Sequence, residues 1–395
     1  MAFDPDALRR SFAVVERRAE QVALYFYAHL FSHNPHMREM FPEEMGEQRD
    51  RLFAALTQLV LRLDSPERLT GYLRTLGRDH RRFQVRPEHY PAVGASLIAA
   101  LRYFSGGEWT AEVEKAWVEG YSVMANTMID AARQADAESP AWWEARVVAH
   151  HRPVPDVAVL TLAPDRPYPF TPGRNLSLCS ERVPRVWRPY SIANAPRADG
   201  TMDIHVRKVP GGRLSTALVD RVAPGERVRL GAPTGDVRLD PGATRPLLAV
   251  AGGTGWAQTR SLLEHQAVSQ PQRRAVVFVG ARSEADLHDL PAIRTMAGRW
   301  PWLEVVIAAP AARLLRARLV ERGSWAGYDG YLSGPPEMVA EMVRLLVAQG
   351  ADPASLHHDP LPVTGARGPR SGAADWFLER RDIPWINRAE LGGRW

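Results

Sequence analysis

The chain has 395 residues, of which 45% are hydrophobic, and its formal net charge is +5. This composition is typical of a globular protein and excludes a disordered chain, and the length predicts about two to four domains. Basic residues are spread along the chain without a block of like charge, so neither nucleic acid nor a membrane surface is indicated as a partner. The one cysteine, Cys179, excludes an internal disulfide and a cysteine-based zinc or iron–sulfur site.

The sequence contains neither an apolar signal segment at its start nor an apolar run of about 18 residues that would span a membrane. Because a reducing compartment is the default for a chain without disulfides, we expect a cytoplasmic protein. We also expect a monomer. The modest positive charge is compatible with acidic small molecules, such as a phosphorylated cofactor.

Residues 1–137 are predicted to form an all-α domain. Apolar residues recur at helical spacing in "VERRAEQVALYFYAHLF", "RDRLFAALTQLVLRL" and "EVEKAWVEGYSVMANTMIDAA". The segment "RDHRRFQVRPEHY" carries two histidines, His80 and His89. A single histidine on a helix is more often a core or surface residue than a ligand, but it is also the usual proximal ligand of haem in all-α folds.

The sequence pattern changes twice after this domain. Residues 140–241 contain short β-like runs punctuated by Pro and Gly, such as "VAVLTLAP" and "MDIHVRKV", which predict a small antiparallel barrel or sandwich. Residues 245–361 alternate buried-type strands, such as "PLLAVAGG" and "AVVFVGAR", with helices, which predicts a doubly wound parallel sheet. Residues 362–395 form a C-terminal extension that is rich in Pro and Gly and ends in several aromatic residues.

Two glycine turns follow strands of the predicted parallel sheet. In "LLAVAGGTGW", Gly253 and Gly255 allow the backbone to approach a pyrophosphate at a helix N-terminus. In "GYLSGPPEMV", Gly334 and Pro335 form a second turn before another helix. One such turn is equally well explained as a tight strand-to-helix connection. Two turns at strand ends of one sheet indicate a single crevice for a nicotinamide nucleotide.

The segment "VGARSEADLHDL" bears on the choice between the two nicotinamide nucleotides. Arg282 either meets the 2′-phosphate of NADPH, or it stacks on adenine or faces water. The second interpretation makes NADH the expected nucleotide.

The predicted barrel carries groups suited to a flat ring system and a phosphate. In "WRPYSIANAP", Arg188, Tyr190 and Ser191 combine a cation, an aromatic ring and a hydroxyl group. In "GGRLSTAL", two glycines precede a predicted helix start, and Ser215 is available for a phosphate contact.

The motifs Arg-x-Tyr-Ser, Gly-Gly-x-x-Ser, Gly-Gly-x-Gly and Ser-Gly-Pro-Pro occur in this order, and residues 145–360 resemble the ferredoxin–NADP reductase superfamily. The resemblance implies FAD on the barrel and NAD(P)H on the parallel-sheet domain. The positions that it places around these cofactors are Arg188, Tyr190, Ser191, His205, Arg207, Gly212, Leu214, Ser215, Gly253, Thr254, Gly255, Arg282, Gly334, Pro335 and Asp359.

The N-terminal domain resembles the globin of bacterial flavohaemoglobins. The segments that carry the resemblance occur in the same order in both: "YFYAHLFSHNPHMREMF", "GEQRDRLF", "DHRRFQVRPEHYPAVG" and "AWVEGYSVMAN". With a reductase behind this globin, the whole chain except the extension resembles that family. The resemblance implies a haem b whose iron is bound by His80, and His89 is expected to be a solvated loop residue.

The same resemblance implies a distal pocket above the haem. Tyr27 and Gln48 would form hydrogen bonds to a small ligand. Leu52 lies one helical turn after Gln48 and would limit access, and Phe41 would pack against the haem face. Core packing alone would also account for the aromatic residues and Leu52.

On the proximal side, the resemblance places Tyr90 beneath His80. Gln134 stands where the family has a glutamate that partners this tyrosine, and an amide would make the imidazole a weaker electron donor. Asp79 replaces the family's usual lysine before the proximal histidine.

A further departure lies near the end of the reductase. The family has an acidic residue followed by an aromatic residue that covers the flavin, whereas this chain has Asp359 and then Leu361. We hypothesise that Trp385 or Trp395 of the extension covers the flavin instead. The alternative is an extension that packs elsewhere or remains mobile.

The resemblance implies a nitric oxide dioxygenase, in which NAD(P)H reduces FAD, FAD reduces the haem, and nitric oxide and oxygen become nitrate. A flavin suits the intermediate position because it accepts a hydride and passes on single electrons. The expected small-molecule partners are therefore O2 and NO. Two other functions remain open: an NAD(P)H oxidase or haem-dependent reductase without specificity for nitric oxide, and a haem-based gas or redox sensor.

Overall fold

The structure is a computed structural model that describes residues 4–359. The chain divides into two compact units, one containing residues up to 141 and the other beginning at residue 142. Within residues 4–359, no helix combines the length and the apolar character needed to cross a membrane. Leu361, Trp385 and Trp395 lie outside the described residues, so the hypothesis about flavin cover remains a prediction.

From residue 4 onward, the first unit is built from α-helices, as the helical periodicity predicted. They are α1 (Pro5–Glu16), α2 (Ala19–His33), α3 (Gly46–Leu61), α4 (Pro66–His80), α5 (His89–Ser105) and α6 (Ala111–Glu138). Two helix starts are stabilised by side-chain caps, because Asp4 accepts from the Asp6 and Ala7 amides and Thr110 accepts from the Val113 amide.

The core of the first unit brings together residues that are far apart in sequence. Trp117 of α6 is buried, and its indole Nε1 donates a hydrogen bond of 2.8 Å to Ser11 Oγ of α1. Helices α4 and α6 cross at Gly77, where a Cβ atom would lie 2.8 Å from Met128 Cα. The close crossing therefore requires glycine at position 77, three residues before His80.

The second unit begins with an antiparallel sheet. Its strands are β1 (Trp143–Val154), β2 (Val157–Pro164), β3 (Asn175–Ser180), β4 (Val183–Ser191), β5 (Met202–Arg207) and β6 (Arg227–Leu230), and α7 (Arg213–Asp220) lies between the last two. The strand order is β4-β3-β6-β1-β2-β5. Because an antiparallel bridge joins Ile192, just after β4, to Ile204 of β5, the two edges meet and the sheet curls. This confirms the antiparallel β fold predicted for this region.

A parallel sheet follows. Its elements are β7 (Leu247–Gly252), α8 (Trp256–Ser269), β8 (Ala275–Gly280), α9 (Leu290–Arg299), β9 (Leu303–Ala308), α10 (Ala311–Glu321), β10 (Asp329–Ser333), α11 (Pro336–Ala348) and β11 (Leu356–His358). The strand order is β11-β10-β7-β8-β9, with every pair parallel. The direction of winding reverses between β7 and β10, and ligands of such folds bind at the carboxyl ends of the strands at this point.

The curled sheet and the parallel sheet belong to the same compact unit, and α8 joins them. Ser261 Oγ of α8 donates to the Asn194 carbonyl oxygen at 3.0 Å. Glu264 of the same helix accepts from the Ala195 amide at 3.0 Å. These bonds are made by buried or half-buried groups, so the two sheets keep a defined contact.

Candidate functional site

His80 is the last residue of α4, and its ring orientation is set by the helix backbone. Its Nδ1 lies 2.6 Å from the carbonyl oxygen of Leu76, one turn earlier. Because a carbonyl only accepts, Nδ1 carries the proton, and in a neutral imidazole Nε2 then keeps its lone pair. Burial is the main cause that lowers the pKa of His80; the Leu76 hydrogen bond opposes it and the charge of Arg82 adds to it. The neutral ring that results is the form that binds a metal through Nε2.

Tyr27 of α2 and Gln48 of α3 form a polar pair inside the apolar core of the first unit. Tyr27 is only 6% exposed. Its hydroxyl accepts from Gln48 Nε2 at 3.3 Å and donates to the Gln48 carbonyl oxygen at 3.3 Å. Burial raises the pKa of Tyr27, against the opposing effects of Gln48 and of the Arg51 charge. The phenol therefore stays protonated and remains a hydrogen-bond donor.

The two apolar residues predicted for the distal pocket also lie in this core. Phe41 and Leu52 are partly buried against it. The rings of Tyr27 and Phe41 meet edge to face, with centroids 5.5 Å apart. Leu52 follows Gln48 by four residues in α3, so both side chains point to the same side of the helix. The structure thus brings Tyr27, Gln48, Phe41 and Leu52 together.

The two residues predicted for the proximal side, Tyr90 and Gln134, differ in burial. Tyr90 is buried at the start of α5, and burial raises its pKa to about 12. Gln134 is exposed on α6, and within the described residues no hydrogen bond connects it to Tyr90. At this level the buried face of α6 presents Ala131 and Ala135 instead. Gln134 immediately precedes Ala135 and is rotated about 100° from it around the helix axis.

The expectation that His89 is a solvated loop residue is wrong. His89 is the first residue of α5 and is half-buried. Its Nδ1 accepts a hydrogen bond of 3.0 Å from the Arg86 backbone amide, which satisfies a polar group near the start of the helix. His80 is therefore the histidine of this segment that is available to a metal.

The first unit fits a haem on two observations from its own residues. A neutral imidazole with its Nε2 lone pair lies at the end of α4. A buried donor pair lies on α2 and α3, among aromatic and aliphatic side chains. These are the groups that a haem requires on its proximal and distal sides.

The residues predicted to bind the flavin ring lie on β4. Arg188 and Tyr190 are two residues apart on this strand and therefore point to the same face, whereas Ser191 points to the other. Burial raises the pKa of Tyr190, with Arg188 opposing. Ser191 Oγ donates to Asn175 Oδ1 of the adjacent strand at 2.9 Å. The cation and the aromatic ring are thus side by side, as a phosphate and a planar ring would require.

The loop between β5 and α7 and the start of that helix hold the residues predicted to contact a phosphate. Gly212 is the N-cap residue of α7. Ser215 Oγ accepts from the Val209 amide at 3.1 Å and donates to the Gly212 carbonyl oxygen at 3.1 Å. Leu214 is 2% exposed and belongs to the core of the curled sheet, so only its backbone is available to a cofactor.

His205 of β5 gives a test of whether the unit fits FAD. His205 is 4% exposed, and its Nδ1 lies 3.0 Å from Nε2 of His288. Its own Nε2 is buried and has no hydrogen-bond partner among the described residues. A buried polar atom without a partner is what a missing cofactor contact would leave. Burial lowers the pKa of both rings, that of His288 to about 4, so both are neutral.

The two glycine turns lie side by side at the reversal point of the parallel sheet. Gly253 has φ +56°, and a Cβ atom there would lie 3.4 Å from Nη2 of Arg207. Gly334 has φ +145°, and a Cβ atom there would lie 3.0 Å from Gly252 Cα. Gly253 therefore favours glycine because of its backbone angle, and Gly334 because of both its backbone angle and the close approach of Gly252.

The remaining predicted positions on this edge are close to these turns. Ser333 Oγ at the end of β10 donates to the Gly255 carbonyl oxygen at 2.7 Å. Thr254 and Pro335 lie within the two turns. Asp359 follows β11, which pairs with β10, so Asp359 lies at the same edge. The two glycine turns therefore lie next to each other at one edge of the sheet, and their binding of a nucleotide stays a prediction.

Arg207 and Arg282 take part in a bridge of charges that spans the two sheets. Asp156 Oδ2 lies 2.5 Å from Nη1 of Arg207 and 3.1 Å from Nη2 of Arg282. Asp286 Oδ1 lies 3.0 Å from the same Nη2 of Arg282. Beside this bridge, a pocket of about 200 Å³, including its part open to solvent, is lined by Gly253, Trp256, Gly280, Asp286, His288 and Asp289.

Sequence reasoning missed Asp156, Asp286 and His288. The last two lie in the segment that contains Arg282, so acidic and imidazole groups close to a strand end were the available signal. Asp156 lies in the turn between β1 and β2, 126 residues from Arg282, and nothing in its local sequence marks it.

Comparisons with known proteins agree with this division. The family model for globins matches residues 24–128, and the model for the oxidoreductase FAD-binding domain matches residues 144–239. A flavohemoprotein of Bacillus subtilis is 24% identical over 90% of this chain and 95% of its own length. The reductase component of a naphthalene 1,2-dioxygenase system from Pseudomonas putida is 32% identical over 54% of this chain and 67% of its own length.

Among solved structures, the crystal structure of a flavohemoglobin from Malassezia yamatoensis, with bound FAD and heme, matches with a TM-score of 0.70. The match covers 91% of this chain and 98% of that one, at 18% identity, and therefore bears on the fold alone.

Proposed function

Because the chain belongs to the flavohaemoprotein family, in which a globin is joined to a ferredoxin reductase-like module, we propose that it is an NAD(P)H-dependent nitric oxide dioxygenase. The family makes the chain a haem- and FAD-binding oxidoreductase. The conversion of nitric oxide and oxygen to nitrate is the step that we propose beyond this.

The pair formed by Tyr27 and Gln48 is the observation that carries the proposal. Both hydrogen bonds of the Tyr27 hydroxyl are 3.3 Å long, beyond the usual range for such groups, so the hydroxyl can turn toward a ligand at little cost. Its raised pKa keeps the proton that it would donate. A donor placed where negative charge develops in a buried pocket stabilises that charge.

The other residues of the first unit have supporting roles. When bound, the haem would supply a redox metal that holds a diatomic gas, and FAD would divide a hydride into single electrons. His80 would hold the iron through Nε2, with the Leu76 carbonyl fixing the ring. Leu52 and Phe41 would exclude water from the space beside Tyr27.

In the second unit, the proposed roles follow the two sheets. Arg188 and Tyr190 would bind the flavin on the curled sheet, and Ser215 would meet its pyrophosphate near the start of α7. The paired glycine turns would receive the nicotinamide nucleotide at the carboxyl ends of β7 and β10.

The proposal is tested by mixing the reduced, oxygen-loaded protein with nitric oxide in an anaerobic cell. We expect one nitrate for each haem and a return to the ferric spectrum. Replacing Tyr27 with Phe removes the donor, and loss of one buried hydrogen bond should speed oxygen dissociation by about 5- to 100-fold. Tyr25→Phe is the matched control, because Tyr25 lies on the same helix but stacks on Tyr103 instead.

A second candidate is an NAD(P)H oxidase, and the proximal side favours it. The His80 imidazole donates to a backbone carbonyl, and Gln134, expected to partner Tyr90, is exposed. A less strongly donating imidazole gives less support to negative charge on the distal ligand. The same mixing experiment separates the two functions: superoxide release without nitrate would overturn the dioxygenase and support the oxidase.

A further inference from the structure

Two histidines of α2 lie four residues apart, and the proposed reaction uses neither. His29 and His33 point to the same side of the helix, and no other two histidines in the sequence have this spacing. His29 follows Tyr27 by two residues and is rotated about 200° from it, so the two side chains lie on roughly opposite sides of α2. We propose that His29 and His33 form a binding site for a divalent transition-metal ion, Cu²⁺, Ni²⁺ or Zn²⁺, held by Nε2 of both rings. The proposal is independent of nitric oxide and of the nicotinamide nucleotide.

The two imidazole rings already lie side by side. Their planes are 21° from parallel, and their centroids are 4.1 Å apart. A metal ion lies about 2.0–2.1 Å from an imidazole nitrogen, so it can join two nitrogens that are up to about 4.2 Å apart. The separation of the rings is within this reach. The His33 side chain is exposed, so its ring can tilt toward that of His29 to complete the chelate.

The hydrogen bonds of His29 fix which of its nitrogens carries the proton. Its Nδ1 lies 3.1 Å from Ser96 Oγ of α5. Because the Ser96 hydroxyl already donates its proton to the Ala92 carbonyl oxygen at 2.9 Å, Ser96 Oγ accepts from His29 Nδ1. In the neutral ring, Nε2 then keeps its lone pair. Burial is the main cause that lowers the pKa of His29, and the charge of His33 adds to it, so the ring is neutral at pH 7.

The neutral ring of His33 has the same tautomer. Its Nδ1 lies 2.9 Å from the His29 carbonyl oxygen and 3.1 Å from Ser32 Oγ, which donates its own proton to that carbonyl. Both neighbours therefore accept from Nδ1, and the lone pair is again on Nε2. Within residues 4–359, neither Nε2 has a hydrogen-bond partner. His33 is exposed, and the buried side-chain atoms that lack a partner do not include His29 Nε2, so both lone pairs are open to solvent.

This arrangement of both rings is the one that metal-binding histidines use. Such a ring donates its second N–H to an acceptor, which holds the ring in place and makes the free nitrogen a better ligand. Imidazole nitrogens suit Cu²⁺, Ni²⁺ and Zn²⁺, whereas Mg²⁺ and Ca²⁺ take oxygen ligands. Cu²⁺ should bind most tightly of the first-row divalent ions. Water would complete the coordination of the metal beside the two rings.

Isothermal titration calorimetry of the untagged, full-length holoprotein with Ni²⁺, Cu²⁺ and Mg²⁺ tests the site. We expect one high-affinity Ni²⁺ per chain, tighter binding of Cu²⁺ and no binding of Mg²⁺. His29→Gln and His33→Gln should each weaken Ni²⁺ binding by about 100-fold, since joining two ligands in one chelate raises the affinity by at least that factor. Ser96→Ala removes the acceptor for His29 Nδ1 and should weaken Ni²⁺ binding by about tenfold.

His36→Gln is the matched control. His36 is exposed and follows His33 by three residues, but it lies outside α2, so its replacement should leave the affinity for Ni²⁺ unchanged. A melting temperature equal to that of the parent, measured without added metal, would show that each variant is folded. Two results would overturn the proposal. One is a Ni²⁺ affinity that His29→Gln or His33→Gln leaves unchanged, and the other is an equal loss of affinity in His36→Gln.

Discussion

The proposed gas pocket of the first unit and the proposed nucleotide crevice of the second are built from different kinds of interaction. In the first, a neutral imidazole bonds to the Leu76 carbonyl and a protonated phenol bonds to the Gln48 amide. In the second, guanidinium and carboxylate groups bridge two sheets around glycine turns. Buried neutral donors suit a small uncharged ligand, whereas exchangeable charges and open backbone suit a phosphorylated one.

The two sites also depend on different structural elements. The first site depends on helix packing, because its groups come from α2, α3 and α4. The second depends on strand register, since adjacent parallel strands end together at Gly252 and Ser333. A substitution in one unit should therefore lower the occupancy of the cofactor bound by that unit and leave the occupancy of the other cofactor unchanged.

The largest expected effect is that of His80→Ala on haem content. Removal of the imidazole takes away the iron ligand, and we expect haem occupancy to fall by at least about tenfold while FAD occupancy is unchanged. The Soret and flavin absorbances of the purified protein give both numbers. Addition of free imidazole should restore the Soret band. A full Soret band in the alanine variant without imidazole would remove His80 as the ligand.

A smaller effect is expected from acidification of the His205–His288 pair. The pKa of His288 is near 4 in the folded protein and 6.5 for a free ring, so on acidification the unfolded chain takes up a proton first. The free energy of unfolding is therefore at its full value above pH 6.5 and decreases as the pH falls toward 4. At pH 5 the loss amounts to about 2 kcal/mol of unfolding free energy. Urea unfolding at pH 7.5 and 5, followed by flavin release, measures it.

His288→Gln keeps hydrogen-bonding capacity but does not titrate, so this pH dependence should become smaller. His151→Gln, at an exposed position of β1, serves as the control and should retain the parent's slope. If His288→Gln and His151→Gln showed the same change of unfolding free energy with pH, the His205–His288 pair would not titrate as described.

The smallest expected effect concerns the crossing of α4 and α6. Gly77→Ala would place a methyl group 2.8 Å from Met128 Cα, and overpacking should outweigh the gain in helix propensity, for a net loss of about 1 kcal/mol. Gly71→Ala lies on the same helix with no atom within 4 Å and should stabilise the unit slightly. Thermal unfolding, followed by the Soret band, gives the melting temperature of each variant. Melting temperatures that shift in the same direction in both variants would argue against the close crossing of α4 and α6.

Much of the fold was predictable, because its signals are local. The helical period of "VERRAEQVALYFYAHLF" and the alternation of strands and helices after residue 245 led to the right classes. The two glycine turns were predicted to lie together, since parallel strands end at one edge, and the structure places them side by side. The prediction that Gln134 partners Tyr90 came from resemblance and not from a local pattern. It did not take into account that Gln134 is rotated about 100° from the buried face of α6.

By itself, the sequence determined the order of the three folds, the histidine at the end of a helix and the glycines at strand ends, since each depends on residues close together along the chain. Only the tertiary structure decided that Asp156 meets Arg207 and Arg282, that His205 meets His288, and that Gln134 faces outward. Such contacts join residues up to 126 positions apart, and their geometry is set by how helices cross and strands pair, which no local pattern encodes.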